Sequence, residues 1–174
     1  MEIRAITGEN AGDLLLKNEP FSMPGKFIPE LRDGVWCYRV ERFDTVETMA
    51  FPDEVYDFAR ISQKGCALAA YDGGQCVGLI VLEDRFWKYM HVYDLKVSAA
   101  ARGKGVGRAL IQGALEEARR RDYRGLYLEA QDSNLNACLF YVKTGFAIGG
   151  FDNRLYTGTS QEGKADVIFY LDTV

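Results

Sequence analysis

Residues 101–110, ARGKGVGRAL, place three glycines within five positions and lead directly into an apolar helical pattern. Glycines this dense let a backbone turn sharply or approach another molecule closely. The preceding segment His91–Val97, HVYDLKV, has the β-branched and aromatic composition of a strand. Where a strand, a glycine loop and a helix follow one another, backbone N–H groups converge at the helix N-terminus and favour an anion. We therefore expect a phosphate-binding loop; the alternative is a tight turn with surface charges.

Two common phosphate-binding loops do not fit this stretch. A P-loop requires the pattern G-x-x-x-x-G-K-[ST], which the sequence does not contain. The dinucleotide-binding fingerprint G-x-G-x-x-[GA] fails at its last position, which is Arg108 when counted from Gly103 and Leu110 when counted from Gly105. Both of these classes of nucleotide-binding protein are therefore excluded.

The chain around the loop predicts three helices. The first is expected over Pro52–Gln63, and the second follows the glycine loop with apolar residues at helical spacing. The third should be capped by Ser133 or Asn134, run to Lys143 and end at Gly145, where a C-terminal cap belongs.

The remaining segments predict mostly strands, so the fold class is mixed α/β. The segment Glu19–Leu31 has three of the four prolines and is expected to be extended and irregular. A strand or helix start is expected at Ile3–Ile6, and one domain is expected over residues 1–174. The other expected strands are Val35–Phe43, the hairpin arms CALAAYD and CVGLIVLE around Gly73-Gly74, His91–Val97, Gly125–Gln131, FAIGGFD (146–152), NRLYTG (153–158) and ADVIFYLD (165–172).

Composition excludes several partners. The net charge of −4 argues against nucleic-acid binding through a basic surface, and the run Arg119–Arg121 is expected to be a solvated helix end. The four cysteines lack metal-ligand spacing and His91 is the only histidine, so we expect free buried thiols and no metal. The N-terminal residues have no apolar signal core, and no segment is long enough to span a membrane. We expect a cytoplasmic protein.

Two motifs about thirty residues apart point to one family. The first has the pattern R-x-x-G-x-G, filled by Arg102, Gly105 and Gly107. The second, LEAQDSNLNACLFYVKTGF, begins a helix at an Asn, with Ala three residues on and Tyr late before Gly-Phe. In both motifs the chain resembles the GNAT family of acyl-CoA-dependent N-acetyltransferases. The resemblance implies a mostly antiparallel sheet flanked by helices, with two central parallel strands that splay apart.

The resemblance also implies how acetyl-CoA would bind. Its pantetheine arm would lie along the strand before the loop, at Leu95 and Val97, and Asn134 would bond the arm from the other side of the splay. Its pyrophosphate would rest on the backbone amides of Arg102, Gly103, Lys104, Gly105, Val106, Gly107 and Arg108.

The reaction expected of such a protein is attack by a neutral amine on the thioester of acetyl-CoA. By resemblance, Tyr141 protonates the departing thiolate; the alternative is an aromatic side chain packed in the core. Glu129 resembles the base of family members that use this strand, although it could equally lie on a solvated face. Asp94 is the rival base, with substrate anchor and structural partner as its alternatives. His91 is expected to be an ordinary strand residue.

The first third of the chain bears on the substrate. Its EPF and GKFIP segments and its aromatic strand with Trp36 and Tyr38 resemble the streptothricin acetyltransferases within the GNAT family. The resemblance implies a small-molecule amine substrate, the β-lysine amine of streptothricin, and hence antibiotic resistance. The expected substrate-binding residues are Tyr38, Asp94, Glu129 and Asp152.

Several alternatives stay open at this point. Tyr93 stands where relatives are expected to have a second acidic residue, which leaves the choice of base open. Other amines (polyamines, amino acids, protein amines), a non-catalytic acyl-CoA sensor and a homodimer are all compatible with the sequence.

Overall fold

A computed structural model describes residues 1–173 and divides the chain into two compact units. The first unit comprises Met1–Pro20, Ala50–Leu126 and Thr173, and the second comprises Phe21–Met49 and Tyr127–Asp172. The strands are β1 (Glu2–Ala5), β2 (Phe21–Arg32), β3 (Val35–Met49), β4 (Gly65–Asp72), β5 (Gln75–Glu83), β6 (Tyr89–Val97), β7 (Gly125–Gln131), β8 (Ala147–Asp152) and β9 (Asp166–Asp172). The α-helices are α1 (Phe58–Lys64), α2 (Val106–Arg120) and α3 (Leu135–Thr144), and short 3-10 helices cover Ala11–Leu15 and Ala99–Ala101.

The first unit is an antiparallel sheet with helices packed against it. Its strands lie in the order β1-β4-β5-β6. Strands β4 and β5 form the predicted hairpin, whose turn residues Gly73 and Gly74 both have positive φ. Helix α2 buries one apolar face, consisting of Val106, Leu110, Ile111, Ala114 and Ala118. Burial of this face fixes the position of the α2 N-terminus and hence of the loop before it.

The second unit contains a long hairpin of β2 and β3, the neighbouring strands β7, β9 and β8, and helix α3. Its core is aromatic: Phe27 on β2 is fully buried and its ring centroid lies 5.9 Å from that of Phe169 on β9. Helix α3 begins after Asn134, whose side chain accepts a hydrogen bond from Ala137 N, and ends at Gly145 with φ of 105°. Both predicted caps of this helix are confirmed.

The predicted mixed α/β class, with mostly antiparallel strands and flanking helices, is confirmed. Two elements differ because side chains bond to nearby backbone. The predicted strand NRLYTG (153–158) is wrong, since Asp152 Oδ1 accepts from Arg154 N and Leu155 N and turns the chain. The predicted helix Pro52–Gln63 begins only at Phe58, where Asp57 accepts from Ala59 N as the N-cap.

The proline-rich segment Glu19–Leu31 is more regular than predicted. Most of it forms β2, which pairs with β3 on one side and shifts register between Met23 and Gly25. Pro24 lies at this shift, where its missing N–H removes a potential ladder bond.

Two predictions concern how the two units are related. One is the single domain over residues 1–174, of which residue 174 lies outside the described residues, and the other is the splay of two central strands. Both stay predictions. Among the described residues, no helix is long and apolar enough to cross a membrane.

Gly78 on β5 gives the first testable prediction. A Cβ at this position would lie 2.8 Å from Val106 Cγ1 and 3.0 Å from Leu110 Cδ1, so α2 would have to shift. We expect Gly78→Ala to lower the free energy of unfolding by about 1–3 kcal/mol, as overpacking does. Urea unfolding measures this change. Gly12→Ala, where the added Cβ meets nothing within 4 Å, is the control, and equal effects of the two changes would contradict the packing described here.

Candidate active site

The glycine loop joins β6 to α2 in a conformation that requires glycine. Gly103 and Gly105 have φ values of 74° and 85°, in the left-handed region that other residues rarely adopt. Gly105 is the N-cap of α2, and as a glycine it has no side chain to accept a hydrogen bond from the first turn. The first turn also contains no acidic residue. The helix therefore begins without the usual internal acceptors.

This helix start can bind an anion. The bond from Ala109 N to Gly105 O, at 3.0 Å, is the first of the helix, so the N–H groups of Val106 and Gly107 precede the intrahelical ladder. Lys104 and Arg108 add positive charge on exposed positions beside them. The combination of unsatisfied amides, the positive end of the helix dipole and basic side chains favours a phosphate or pyrophosphate.

Arg102 holds the loop in place. Its guanidinium donates to three backbone carbonyls, those of Val97 (3.1 Å), Pro20 (2.7 Å) and Glu19 (3.1 Å). Its backbone N–H donates to Ala99 O at 3.2 Å. Arg102 thus fastens the loop to the end of β6 and to the N-terminal segment, and its amide would have to share a bond in order to contact a ligand.

Strand β6 places Leu95 and Val97, both half-buried, directly before the loop. On the same strand, Asp94 and Lys96 have the two-residue spacing that puts side chains on one face. Asp94 Oδ2 accepts from Tyr56 Oη at 2.6 Å and lies 3.0 Å from Lys96 Nζ. The Lys96 ammonium also lies 5.2 Å from the centre of the Tyr56 ring. Asp94 therefore has two donors on one of its oxygens.

Burial, and then the neighbouring Asp94 carboxylate, raises the pKa of Tyr56 well above its ordinary value. Tyr56 consequently stays protonated and keeps donating to Asp94 at any pH at which the protein would act. Lys96 is only 7% exposed at its side chain and Asp94 23%, so the ion pair is shielded from solvent. The sequence alone suggested neither partner of Asp94, although the spacing of Asp94 and Lys96 in DLKV was a usable signal.

A cavity of about 150 Å³ opens beside this cluster in the first unit. Tyr93, which stands where a second acidic residue was expected, lines it and donates from its hydroxyl to Glu54 at 3.0 Å. Burial and this bond raise the pKa of Tyr93. The rings of Tyr93 and Tyr56 meet edge to face with centroids 6.4 Å apart. Aromatic faces next to a carboxylate suit a cationic group.

The second unit holds the other predicted residues. Asn134 uses its Oδ1 to cap α3 (3.3 Å to Ala137 N), which leaves Nδ2 as its donor group. Tyr141 is half-buried in an aromatic cluster, with ring centroids 5.5 Å from Phe146 and 5.6 Å from Phe169. Packing of this kind fixes the ring, as a proton donor at a defined position requires.

Strands β7, β8 and β9 place carboxylates in the second unit. Glu129 is exposed on β7, and Asp152 at the end of β8 pairs in register with Asp166 at the start of β9. Asp166 is buried and accepts from Tyr156 Oη at 2.8 Å. Burial is the main cause that raises the pKa of Asp166, and the charges of Glu129, Asp152 and Asp132 raise it further. No motif in the sequence points to Asp166 as a site residue.

Two further features complete this unit. Asp132 is almost fully buried and pairs with Lys26 Nζ at 3.0 Å, so its role is structural. Tyr38, 41% exposed, stacks on Phe27 with ring centroids 4.5 Å apart. One face of Tyr38 is therefore occupied by the core, and its exposure leaves room for a ligand.

The structure brings the predicted residues together in two sets. In the first unit Asp94, Leu95 and Val97 lie on one strand that leads into the glycine loop of residues 102–108. In the second, Asn134 and Tyr141 belong to the cap and body of α3, and the charges of Glu129 and Asp152 both raise the pKa of Asp166.

The cysteines and the histidine have no evident catalytic role. All four cysteines are free, as predicted, but only Cys138 is buried, and burial raises the pKa of Cys66 to about 12. His91 is buried on β6 with its Nδ1 2.7 Å from Arg85 Nη2. Within the part of the chain that the structure describes, no group of three His, Cys, Asp or Glu residues could hold a metal ion.

Comparison with known proteins identifies the family. Residues 29–146 match the acetyltransferase (GNAT) family. The chain is 34% identical to streptothricin acetyltransferase A of Bacillus subtilis over 97% of its own length and 98% of the relative's.

Several solved structures match over nearly the whole chain, and two of them are named as streptothricin or nourseothricin acetyltransferases. One is from Bacillus anthracis, bears the name of a streptothricin acetyltransferase and was solved with acetyl coenzyme A; it superposes with a TM-score of 0.89 at 26% identity over 99% of each chain. The other, a nourseothricin acetyltransferase, has a TM-score of 0.80 at 28% identity over 98% of this chain and 97% of that one.

The ion pair of Asp94 and Lys96 gives the second prediction. Removing one partner of a shielded pair leaves the other charge buried without its counter-charge, so Lys96→Met should lower the free energy of unfolding by about 2 kcal/mol. The double variant Lys96→Met/Asp94→Asn should lose less than the sum of its single changes, with a coupling of about 1 kcal/mol or more. Chemical denaturation of the four proteins gives this coupling.

Lys88→Met is the matched control for that cycle. Lys88 pairs with Asp122 at 2.6 Å, but both side chains are largely exposed, so its loss should change stability by less than about 1 kcal/mol. Strict additivity in the Lys96 and Asp94 cycle would show that the two groups are independent.

Proposed function

The chain belongs to the acetyltransferase (GNAT) family, and from this premise we propose that it transfers the acetyl group of acetyl-CoA to a primary amine of streptothricin. The protein is an N-acetyltransferase with acetyl-CoA as its acyl donor. One observation supports the substrate: similarity to a streptothricin acetyltransferase extends over 97% of the chain, well beyond the residues 29–146 that match the family. The β-lysine amine is the proposed acceptor, and its acetylation would give resistance to the antibiotic.

We assign the pyrophosphate of acetyl-CoA to the start of α2. The amides from Gly103 to Arg108 would hold it, and Arg102 would keep the loop at the end of β6. The pantetheine arm would bond to the backbone of Leu95 and Val97, and Asn134 Nδ2 would donate to it. The amides of Val106 and Gly107 precede the first hydrogen bond of the helix, and Asn134 uses its Oδ1, not its Nδ2, to cap α3, which supports this assignment.

Glu129 is the better candidate for the general base. An alkyl amine is mostly protonated at neutral pH and must lose a proton before it attacks the thioester. Asp94 Oδ2 already accepts from a tyrosine hydroxyl and lies against a lysine ammonium, which makes Asp94 a better substrate anchor than base. Glu129 is exposed within a negative field shared with Asp166, which attracts a cationic amine.

Tyr141 would protonate the thiolate of CoA. Its ring is held by three aromatic neighbours, so the hydroxyl has a defined position. Tyr38 and Asp152 would contact the substrate through an exposed ring face and a carboxylate. We place the protein in the cytoplasm, where acetyl-CoA and the reduced state of its four free cysteines are both expected.

The third prediction tests the substrate. Purified protein with acetyl-CoA should release free CoA thiol when streptothricin is added, and more slowly with polyamines, free lysine or a peptide amine at equal concentration. Tyr141→Phe should lower kcat by about a hundred- to ten-thousand-fold, because general acid help is lost. Thermal stabilisation by acetyl-CoA should persist in this variant.

Two results would contradict this proposal. Faster thiol release with another amine would assign the enzyme to that amine. Binding of acetyl-CoA without turnover of any amine, and with no effect of Tyr141→Phe, would indicate an acyl-CoA sensor.

The fourth prediction separates the two carboxylates. Glu129→Gln should lower kcat by about a hundred-fold or more and remove the acidic limb from the pH profile of kcat/KM. Asp94→Asn should mainly raise KM for streptothricin and keep that limb. Steady-state rates of both variants and the wild-type protein are measured over a pH series. If Asp94→Asn removed the acidic limb and Glu129→Gln kept it, the general base would be Asp94.

A further inference from the structure

An unusual pair of like charges lies where β8 and β9 meet. Asp152 and Asp166 stand directly opposite one another in the antiparallel register, so their side chains project from the same face. Like charges in this arrangement destabilise a sheet. Asp166 is only 7% exposed, which makes the repulsion harder for solvent to screen.

The local cations do not neutralise this pair. Lys26 is committed to Asp132 at 3.0 Å, and Lys164 donates to Gln161 Oε1 at 2.6 Å. Over the described residues 1–173, no ion pair joins Asp152 or Asp166 to a lysine or arginine. Glu129 adds a further negative charge to the same field. The region therefore has excess negative charge next to a buried carboxylate.

A buried acceptor without a donor lies at the same place. Gln131 is 9% exposed, and its Oε1 has no hydrogen-bond partner in the described chain. The Gln131 side chain interacts with the hydroxyl of Tyr156, which donates to Asp166. An unsatisfied buried carbonyl is costly, and a ligand N–H would satisfy it.

The ligand that fits is an organic cation. Although carboxylates gather here, no three of the described acidic, His or Cys side chains come close enough to hold a metal ion. Acceptors on β7, β8 and β9 instead match a group with several N–H donors, such as an ammonium or guanidinium. Burial raises the pKa of Tyr156 to about 12, so this hydroxyl remains a donor that orients Asp166.

We propose that Asp166, Asp152 and the Gln131 side-chain carbonyl form a recognition subsite for a second cationic group of the substrate, separate from the amine that is acetylated. The proposal rests on the proposed function and deepens it. The subsite would hold a polycationic substrate by one charged group while another amine reacts. A substrate with a single amine would gain nothing from it.

Calorimetric titration of streptothricin into the acetyl-CoA-free protein tests the subsite. Asp166→Asn should weaken binding by about ten- to a hundred-fold, since one charge-assisted contact is lost. Asp152→Asn should weaken it in the same direction, and KM should rise with kcat largely kept. Asp44→Asn, which removes an exposed carboxylate on β3 of the same unit, is the control and should leave binding unchanged.

Stability distinguishes recognition from a structural role. The folded-state pKa of Asp166 is raised, so its ionisation costs stability once the pH rises above its unfolded value near 4. Asp166→Asn should therefore be more stable than wild type at pH 7, with a difference that shrinks as the pH falls towards 4. If Asp166 serves only to hold Tyr156, the variant would instead lose stability and bind streptothricin normally, which would overturn the proposal.

A second variant and the wild-type control complete the test. Tyr156→Phe keeps the Asp166 carboxylate but removes the hydroxyl that orients it, and should weaken streptothricin binding several-fold. Turnover of streptothricin by wild type together with unchanged binding by Asp166→Asn overturns the subsite and leaves the proposed function standing. A wild-type protein that neither binds nor acetylates streptothricin contradicts the proposed function and the subsite that rests on it.

Discussion

The start of α2 is the constraint on which the proposed acetyl-CoA site of this protein depends. A left-handed Gly105 begins the helix without a capping side chain, and burial of the α2 face against the sheet of the first unit fixes where that start lies. Arg102 holds the loop from the other end through three backbone carbonyls. The result is a set of backbone amides suited to an anion, and we propose that the pyrophosphate of acetyl-CoA is that anion.

Charge balance explains how the acidic residues differ. Asp94 and Asp132 each lie 3.0 Å from a lysine ammonium, Asp94 from that of Lys96 and Asp132 from that of Lys26. Asp152 and Asp166 face one another without such a partner. In the proposed subsite a cationic substrate would supply the missing charge, so carboxylates that look alike in the sequence differ because of their neighbours.

Local features of the sequence predicted much of the fold, including the elements that carry the candidate site residues. The glycine loop, the Gly73-Gly74 hairpin and both caps of α3 depend on neighbouring residues and were predicted correctly. The contact between Asp94 and Tyr56 was not, because Tyr56 is 38 residues away along the chain and only the fold brings the two together. NRLYTG was mistaken for a strand because its composition does not show that Asp152 would bond the following backbone. The substrate could be inferred only by resemblance, since the family's shared machinery does not specify the amine.

The central claim, that the uncapped start of α2 binds acetyl-CoA, is tested most directly by NMR titration of acetyl-CoA into ¹⁵N-labelled protein. We predict that the amide signals of Gly103, Gly105, Val106 and Gly107 shift most strongly and saturate together. The same amides should shift less with a pantetheine thioester that lacks the pyrophosphate. Loop signals that stay unchanged while acetyl-CoA binds elsewhere would contradict the account.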